Sequence, residues 1–363
     1  MILFASGSMR SPSASTDIVT KRTDLAIITR RSSLFVVFVI ASSCILANAA
    51  PFAYIPNSAG SNNTVSVVDI AKQKLIATII VGTHPVGTGI TPDNARVYVA
   101  NEQSTSVSVI NTATNAVSAT IPVGPGPTGV AVTPDGTRVY VSNFFDSSVS
   151  VISTATEMVT DTITVGSVPS GIAITPDGSR VYVANADSNT VSVINTVTNS
   201  VVDTIAVGMF PDGVAISPDG RHVYVVNDHS DDVSVISTAT DTVIATVPVG
   251  TLPGPAAVSP DGSRIYVGNL GVNTVSVIDA VTNTLAATIT VGNDPEGVGV
   301  TPDGRQLIVA NGGDNTVSVV DTGTNLVVAT IPGVGPGPGG IGQFITGGCV
   351  HRHHAHPCIH RNH

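Results

Sequence analysis

A 42-residue repeat runs through most of the sequence. The turn motif Thr/Ser-Pro-Asp-Gly, with Asn94 in place of glycine in its first copy, recurs at this interval with its proline at Pro92, Pro134, Pro176, Pro218, Pro260 and Pro302. A Val-Ser-Val run keeps the same interval and begins at Val65, Val107, Val149, Val191, Val233, Val275 and Val317. Self-similarity at such a period is typical of propellers, solenoids and arrays, whose units bury their apolar faces by stacking on neighbours. Function is therefore expected where the copies differ.

Each repeat contains four short apolar runs. In one copy they are residues 171–175, 180–185, 190–194 and 201–208. The runs are rich in Val, Ile, Thr and Tyr, and Gly, Pro, Asn or Asp bound them, which predicts strands rather than helices. Four strands per repeat of this length constitute one propeller blade. The sequence thus predicts an all-β propeller of four-stranded antiparallel blades.

The two ends of the repeat region predict a closed ring. The first copy begins near residues 52–55, which correspond to the second strand of the other copies. The last copy is followed by residues 338–345, which match the Pro-x-Gly-Val-x-Val-Thr pattern of an opening strand. We expect this segment to complete the first blade of a seven-bladed domain over residues 50–348. Such closure leaves few exposed sheet edges, and a monomer is expected.

Two polar residues recur in register and are interpreted as scaffold. An asparagine ends the second strand as Asn57, Asn101, Asn143, Asn185, Asn227, Asn269 and Asn311. An Asx-type turn would explain it without any ligand. An arginine begins the same strand as Arg96, Arg138, Arg180 and Arg264, and we expect it to pair with nearby carboxylates or carbonyls.

The N-terminal segment differs in composition and predicts export. Arg30 and Arg31 precede an apolar stretch over residues 33–47, followed by Ala47-Asn48-Ala49. This pattern is typical of a secretory signal peptide with a long charged region, over residues 1–49. The stretch is short for a membrane span, which needs about 20 apolar residues. A lipoprotein modified at Cys44 is the alternative. The mature chain is expected in the periplasm, at the cell surface or outside the cell.

Charge narrows the class of partner. Cleavage after Ala49 would change the net charge from −10 to −13, with 10 basic and 23 acidic residues left. A phosphate backbone requires Lys and Arg to replace its counterions, so a nucleic-acid partner is not expected. An unknown protein or small molecule remains as the partner.

The repeat motifs resemble a known family. Val-Tyr-Val-Ala-Asn, Asn-Thr-Val-Ser-Val-Ile and Pro-Asp-Gly followed by Arg or Ser-Arg are similar to the YVTN-type β-propeller repeat over residues 53–346. That family occurs in archaeal surface-layer proteins and bacterial exported proteins. Similar propellers include lactonases, haem-d1 domains and a periplasmic single-strand DNA binder. The resemblance implies the fold, whereas an activity does not transfer with it.

One face of the ring carries the differences between copies. Turns between strands two and three lie on the same face as the residues that lead into strand one, around the channel mouth. The position just before strand one is acidic only at Asp212 and Glu296. The fifth copy adds Asp228, His229, Asp231 and Asp232. Such an oxygen-rich group suits calcium or a basic ligand, and a solvated acidic rim is the alternative.

An exposed aromatic pair and the lack of catalytic motifs complete this picture. Phe144 and Phe145 form either a contact patch or a pair with one ring between blades. No G-x-S-x-G or H-E-x-x-H motif occurs, and Asp212 and Glu296 belong to non-adjacent blades. We therefore expect a non-catalytic binding or surface scaffold, with a lactonase-like hydrolase as the alternative.

The C-terminal tail, residues 349–363, is rich in histidine and cysteine. Its candidate metal ligands are Cys349, His351, His353, His354, His356 and Cys358. Imidazole and thiolate suit zinc, copper or nickel. A disordered end, with a disulfide between the two cysteines, is the alternative.

Overall fold

The seven repeats form seven antiparallel blades arranged as a closed ring. The computed structural model describes residues 51–60 and 63–347. Helix in these ranges is limited to two 3-10 turns, Glu102–Ser104 and Leu270–Val272. No helix there is long and apolar enough to cross a membrane. The predicted signal peptide and the histidine-rich tail lie outside the described residues.

Blades are numbered from the N-terminus. Blade 1 contains β1 (Phe52–Asn57), β2 (Thr64–Asp69) and β3 (Lys74–Ile80). Blade 2 contains β4 (Pro85–Ile90), β5 (Arg96–Asn101), β6 (Ser106–Asn111) and β7 (Ala116–Pro122). Blade 3 contains β8 (Pro127–Val132), β9 (Arg138–Asn143), β10 (Ser148–Ser153) and β11 (Met158–Thr164). Blade 4 contains β12 (Pro169–Ile174), β13 (Arg180–Asn185), β14 (Thr190–Asn195) and β15 (Ser200–Ala206).

Blades 5 to 7 repeat this order. Blade 5 contains β16 (Pro211–Ile216), β17 (His222–Asn227), β18 (Asp232–Ser237) and β19 (Thr242–Pro248). Blade 6 contains β20 (Pro253–Val258), β21 (Arg264–Asn269), β22 (Thr274–Asp279) and β23 (Thr284–Thr290). Blade 7 contains β24 (Pro295–Val300), β25 (Gln306–Asn311), β26 (Thr316–Asp321) and β27 (Leu326–Pro332), and the chain then enters β28 (Ile341–Gly342).

Stacking of neighbouring blades creates the core. The second and third strands of each blade are almost wholly buried, because the adjacent blades cover both of their faces. Tyr98 and Val109 of blade 2, for example, pack in one apolar cluster with Val139 and Val141 of blade 3. The outermost strands alternate between exposed and partly buried residues. Burial of apolar area between blades is the main force that stabilises such a ring.

The recurrent asparagine is scaffold, as predicted, but it does not form an Asx turn. Asn185 is fully buried, and its Nδ2 donates to Thr190 Oγ1 at 3.1 Å and Ser192 Oγ at 3.0 Å. In blade 2, Asn101 Oδ1 also accepts a hydrogen bond from Gly82 N in the loop that enters the blade. The residue therefore joins strands two and three to the preceding connection, because a buried amide requires partners for its polar atoms.

The recurrent arginines have carbonyl partners, which confirms the prediction, and these partners lie in the next blade. Each arginine donates through NH1 to a threonine carbonyl 58 residues later, at Thr154, Thr196, Thr238 and Thr322. Arg180 also pairs with Asp241 at 2.6 Å. The arginines therefore connect one blade to the next.

The C-terminal segment closes the ring by pairing with β1. Tyr54 N donates to Phe344 O at 2.8 Å, and Thr346 N donates to Phe52 O at 2.8 Å. Isolated bridges place Ala53 opposite Ile345 and Asn57 opposite Pro338. The expected closure is thus confirmed.

The closing segment is nevertheless longer than an opening strand. β4 extends from Pro85, opposite Asn101, to Ile90, opposite Val97. The closing segment covers the equivalent positions of blade 1 from Pro338 to Ile345, which takes two more residues. The additional length lets β28 leave blade 1 and pair in parallel with Gly87 and Thr88 of β4. Phe344 and Ile345 then return to the core between blades 1 and 7.

Candidate binding site at the channel mouth

The loops of the ring lie on two faces, and the repeated turns of one face have a structural role. We call the face with the strand-two to strand-three turns the upper face and the face with the Pro-Asp-Gly turns the lower face. A lower turn satisfies its own polar groups: Thr91 Oγ1 donates to Asp93 Oδ1 at 2.6 Å, and Arg96 N donates to that same hydroxyl at 3.0 Å. The hydrogen bond from Thr91, together with one from Ala95 N to Asp93 Oδ1, lowers the pKa of Asp93. The repeated turn is therefore structural.

The closing segment divides the central channel. An upper cavity of about 190 Å³ contacts Gly340 and Ile341, and a lower cavity of about 480 Å³ contacts Gly342 and Gln343. The lower cavity is lined mainly by apolar residues at the ends of the inner strands. The upper cavity is lined by Asp212, Glu296, Val86, Pro255, Leu270 and Ile341, among others. Both predicted carboxylates thus meet one cavity, although their blades are not adjacent.

Asp212 is the second residue of β16, so it lies within strand one rather than just before it. Ser170 Oγ from blade 4 donates to Asp212 Oδ1 at 2.5 Å. Burial raises the pKa of this carboxyl, and the charge of Asp228 adds to the effect. A Cβ at Gly254, the equivalent position in blade 6, would lie 3.5 Å from Asp212 Oδ2. The absence of a side chain there leaves the carboxylate open to the cavity.

Glu296 occupies the same position in β24 of blade 7. Burial raises its pKa, and the charge of Asp294 adds to the effect. A Cβ at Gly312 would lie 2.7 Å from Glu296 Cδ, and one at Gly339 would lie 2.9 Å from Oε2. Side chains at these two positions would therefore collide with the carboxylate. The glycines make room for Glu296: every other copy has a larger residue at the position of Gly312, and every other copy except that of Gly254 has one at the position of Gly339.

Two of the blade-five acids are scaffold. Asp231 has a positive φ of 51° and its Oδ1 accepts a hydrogen bond from Leu252 N at 3.0 Å. Asn189, in the equivalent turn, accepts one from Phe210 N in the same way. Asp232 Oδ1 accepts a hydrogen bond from Asn227 Nδ2 at 2.7 Å, a role that threonine or serine has in other blades. Both side chains replace ordinary repeat residues.

Asp228 and His229 remain as distinctive residues of the upper face of blade 5. Burial raises the pKa of Asp228, with a further contribution from Asp231. His229 Nε2 lies 3.7 Å from Asp228 Oδ2, and its ring stacks on Phe210 with 4.5 Å between centroids. Within the described ranges, no group of three or more His, Cys, Asp or Glu side chains is placed to hold a metal ion. The five blade-five residues are thus not assembled into a cluster of metal ligands.

Phe144 and Phe145 differ in exposure, so each of the two rings fits one of the expected arrangements. Phe145 is 67% exposed, whereas Phe144 is half-buried. The rings meet edge to face with 5.1 Å between their centroids. Phe145 covers Gly126, where a Cβ would lie 2.5 Å from the ring. One aromatic ring is therefore available on the upper face of blade 3.

Sequence reasoning missed several residues at the mouth. Leu270 and Ile341 line the upper cavity, and His84 Nδ1 lies 2.6 Å from Glu102 Oε2 on the rim. The two additional residues of the closing segment were the available signal for Ile341. The contact between His84 and Glu102, which lie on two different loops, has no comparable signal in the sequence. The six tail ligands lie outside the described residues, so the metal site there stays a prediction.

Comparison with known proteins supports the fold. A model of the family described as lactonase, 7-bladed beta-propeller, matches residues 90–202, which include neither Asp212 nor Glu296. No curated protein matches the chain. Hydrazine synthase of Kuenenia stuttgartiensis is 24% identical with a TM-score of 0.66, covering 78% of this chain and 99% of that one.

Two further solved structures are similar. A functionally unknown protein from Desulfotomaculum acetoxidans DSM 771 is 19% identical with a TM-score of 0.69, covering 80% of this chain and 99% of that one. Dihydro-heme d1 dehydrogenase NirN, in complex with DHE, is 16% identical with a TM-score of 0.58, covering 77% of this chain and 63% of that one. The structural similarity establishes the propeller fold, whereas sequence identities this low do not allow an activity to be transferred.

Proposed function

We propose that this chain is an exported, non-catalytic propeller of the YVTN type that binds a positively charged ligand at its upper channel mouth. The observation that carries the proposal is that Asp212 and Glu296 line the same, largely apolar cavity. Burial makes ionisation of both carboxyls unfavourable, and a bound cation would relieve that cost. No lysine or arginine of the described residues lies on the upper face to act as this cation. Export rests on the N-terminal pattern alone.

The repeat itself supports a binding role over catalysis. Asn185, Arg180 and Asp231 form hydrogen bonds that hold blades or strands together. The upper mouth, in contrast, contains residues that differ from copy to copy and glycines that make space for a carboxylate. Variation on a constant scaffold is how repeat folds acquire binding surfaces.

A lactonase-like hydrolase is the second candidate. The family-model match over residues 90–202 favours it, as do the raised pKa values of Asp212 and Glu296. A carboxylate with a raised pKa is suited to general acid or base catalysis near neutral pH. In this alternative, one of the two carboxylates would remove a proton from the attacking water.

Two measurements on the purified mature protein separate these functions. The first is the melting temperature with increasing n-butylamine, for the wild type and for Asp212→Asn/Glu296→Gln. A ligand present at a hundredfold excess over Kd stabilises the folded state by about 2.7 kcal/mol. We expect the stabilisation in the wild type and in the rim control Asp187→Asn, and its loss in the double variant. Equal stabilisation of all three proteins would refute the mouth as the site.

The second measurement is turnover of a panel of lactones and phosphoesters. A binding protein is expected to show none. Turnover that disappears in Asp212→Asn or Glu296→Gln would replace the binding function with the hydrolase. Turnover that both variants retain would instead place catalysis elsewhere on the chain.

A further inference from the structure

Both faces carry acidic residues, but the lysines and arginines of the described chain are confined to the lower face. The upper face carries ten acidic residues, namely Glu102, Asp146, Asp187, Asp212, Asp228, Asp231, Asp232, Asp294, Glu296 and Asp314. Every lysine and arginine of the described residues lies at lower strand ends or in lower turns, namely Lys72, Lys74, Arg96, Arg138, Arg180, Arg221, Arg264 and Arg305. The acidic residues of the upper face therefore have no lysine or arginine of the described chain beside them, and their negative field attracts cationic partners and repels anionic ones.

Exposed apolar side chains occupy only part of this acidic face. Met209 is 55% exposed, Leu252 49% and Val272 46%, and all three lie on the adjacent blades 5 and 6, whereas the exposed Phe145 lies apart from them on blade 3. The equivalent loops that enter blades 7, 1 and 2 instead contain Asn293, Asp294, Pro336, Gly337, Thr83 and His84. Together with Phe210 and Leu270, we call these residues of blades 5 and 6 the apolar patch.

Carboxylates are interleaved with the patch. Leu252 N donates a hydrogen bond to Asp231 Oδ1, and Leu270 N donates one to Leu252 O at 3.0 Å. Phe210 stacks on His229, the neighbour of Asp228 in sequence. Leu270 also lines the upper cavity with Asp212. Apolar side chains and carboxylates are thus neighbours both within the patch and at the channel mouth.

We propose that the apolar patch is the docking surface for a basic, amphipathic polypeptide segment of another protein. Apolar side chains of the segment would cover Met209, Leu252 and Val272, and its Lys or Arg side chains would pair with Asp228 and reach toward Asp212. The proposal rests on the binding function above and names its ligand. Charge complementarity selects this occupant, because the field of the upper face opposes an anionic segment, a phosphate backbone or a second copy of the same face.

The test uses the full mature chain and three labelled peptides, followed by fluorescence anisotropy. Each peptide contains four copies of one triplet: Lys-Leu-Ser, Glu-Leu-Ser or Lys-Ser-Ser. We expect the Lys-Leu-Ser peptide to bind at least tenfold more tightly than either of the others. Its affinity should also fall as salt rises from 0.05 to 0.5 M, because exposed charges are screened.

A pair of chemically matched variants locates the binding. Met209→Ser/Asp228→Asn removes one exposed methionine and one carboxylate from the patch. Met158→Ser/Asp161→Asn removes the same groups from β11, on the outer edge of blade 3, where both residues are exposed. We expect at least a tenfold loss of affinity in the first variant and none in the second, with folding of both checked by thermal melts.

Equal affinities in the two variants, or no preference for the Lys-Leu-Ser peptide, would overturn the docking surface. The butylamine measurement distinguishes this failure from failure of the proposed function. If the amine still binds through Asp212 and Glu296 while the peptide does not depend on the patch, the mouth is a small-ligand site. If the peptide depends on the patch but is unaffected by Asp212→Asn/Glu296→Gln, docking stands and the mouth has no part in it.

Discussion

Replacing Phe344 by alanine should weaken the closure of the ring. Phe344 is only 1% exposed and packs in a cluster with Ala53 and Ile55 of blade 1 and Ile308 of blade 7. Its backbone carbonyl accepts a hydrogen bond from Tyr54 N, and the substitution leaves that bond possible. The change therefore removes side-chain packing at the junction between the first and last blades while keeping the strand pairing.

The expected magnitude follows from the burial of the ring. Truncation of a buried phenylalanine to alanine costs about 3–5 kcal/mol, because transfer free energy is lost and a cavity remains. In a chain of this size each kcal/mol lowers the melting temperature by roughly 2 °C. We thus expect a decrease of about 6–10 °C in Phe344→Ala.

Phe145→Ala is the matched control, because it removes the same atoms from an exposed position. Its effect should remain within about 0.5 kcal/mol. The assay is guanidinium denaturation, followed by circular dichroism, with the thermal melt as a second readout. Similar small losses in both variants would refute the claim that Phe344 holds the first and last blades together.

Thr88→Val should stabilise the protein by about 1 kcal/mol in urea denaturation, because the fully buried Thr88 hydroxyl has no hydrogen-bond partner among the described residues and unpaired buried polar groups are destabilising; a loss would contradict this. Burial raises the pKa of Asp212, so its ionisation weakens the fold as pH rises above the ordinary value of about 3.9. Asp212→Asn should therefore be more stable than wild type at pH 7, and denaturation at pH 4 should show a smaller advantage. N-terminal sequencing of exported protein should begin at or near Ala50, and a start before residue 33 would contradict cleavage. Zinc or copper titrated calorimetrically should bind the mature chain but not a truncation ending at Gly348, with affinity falling below pH 6.5 as imidazoles protonate; equal binding would exclude the tail.

Local sequence pattern was enough for the architecture. A period of 42 residues, four apolar runs per period and incomplete copies at both ends together predict seven blades and a shared closing blade. These features depend on local turn chemistry and on strand preference, which neighbouring residues determine. The same pattern identified Asn185 and Arg180 as scaffold, because the asparagine recurs in all seven copies and the arginine in four of them, in the same register. It also selected Asp212 and Glu296, because the other copies lack a carboxylate there.

Only the tertiary structure decided which side chains meet. Arg180 donates a hydrogen bond to Thr238 O in the next blade, which begins 31 residues later, and Asp231 accepts one from Leu252 N in the loop that enters blade 6. Neither partner can be predicted from a single repeat. The two additional closing residues place Ile341 in the channel, a result set by the fixed circumference of seven blades and the register of β1. Asp212 and Glu296 share a cavity because the ring brings the starts of non-adjacent inner strands together at its axis. A repeat in sequence specifies each blade, whereas contacts across the axis arise only when the ring is complete.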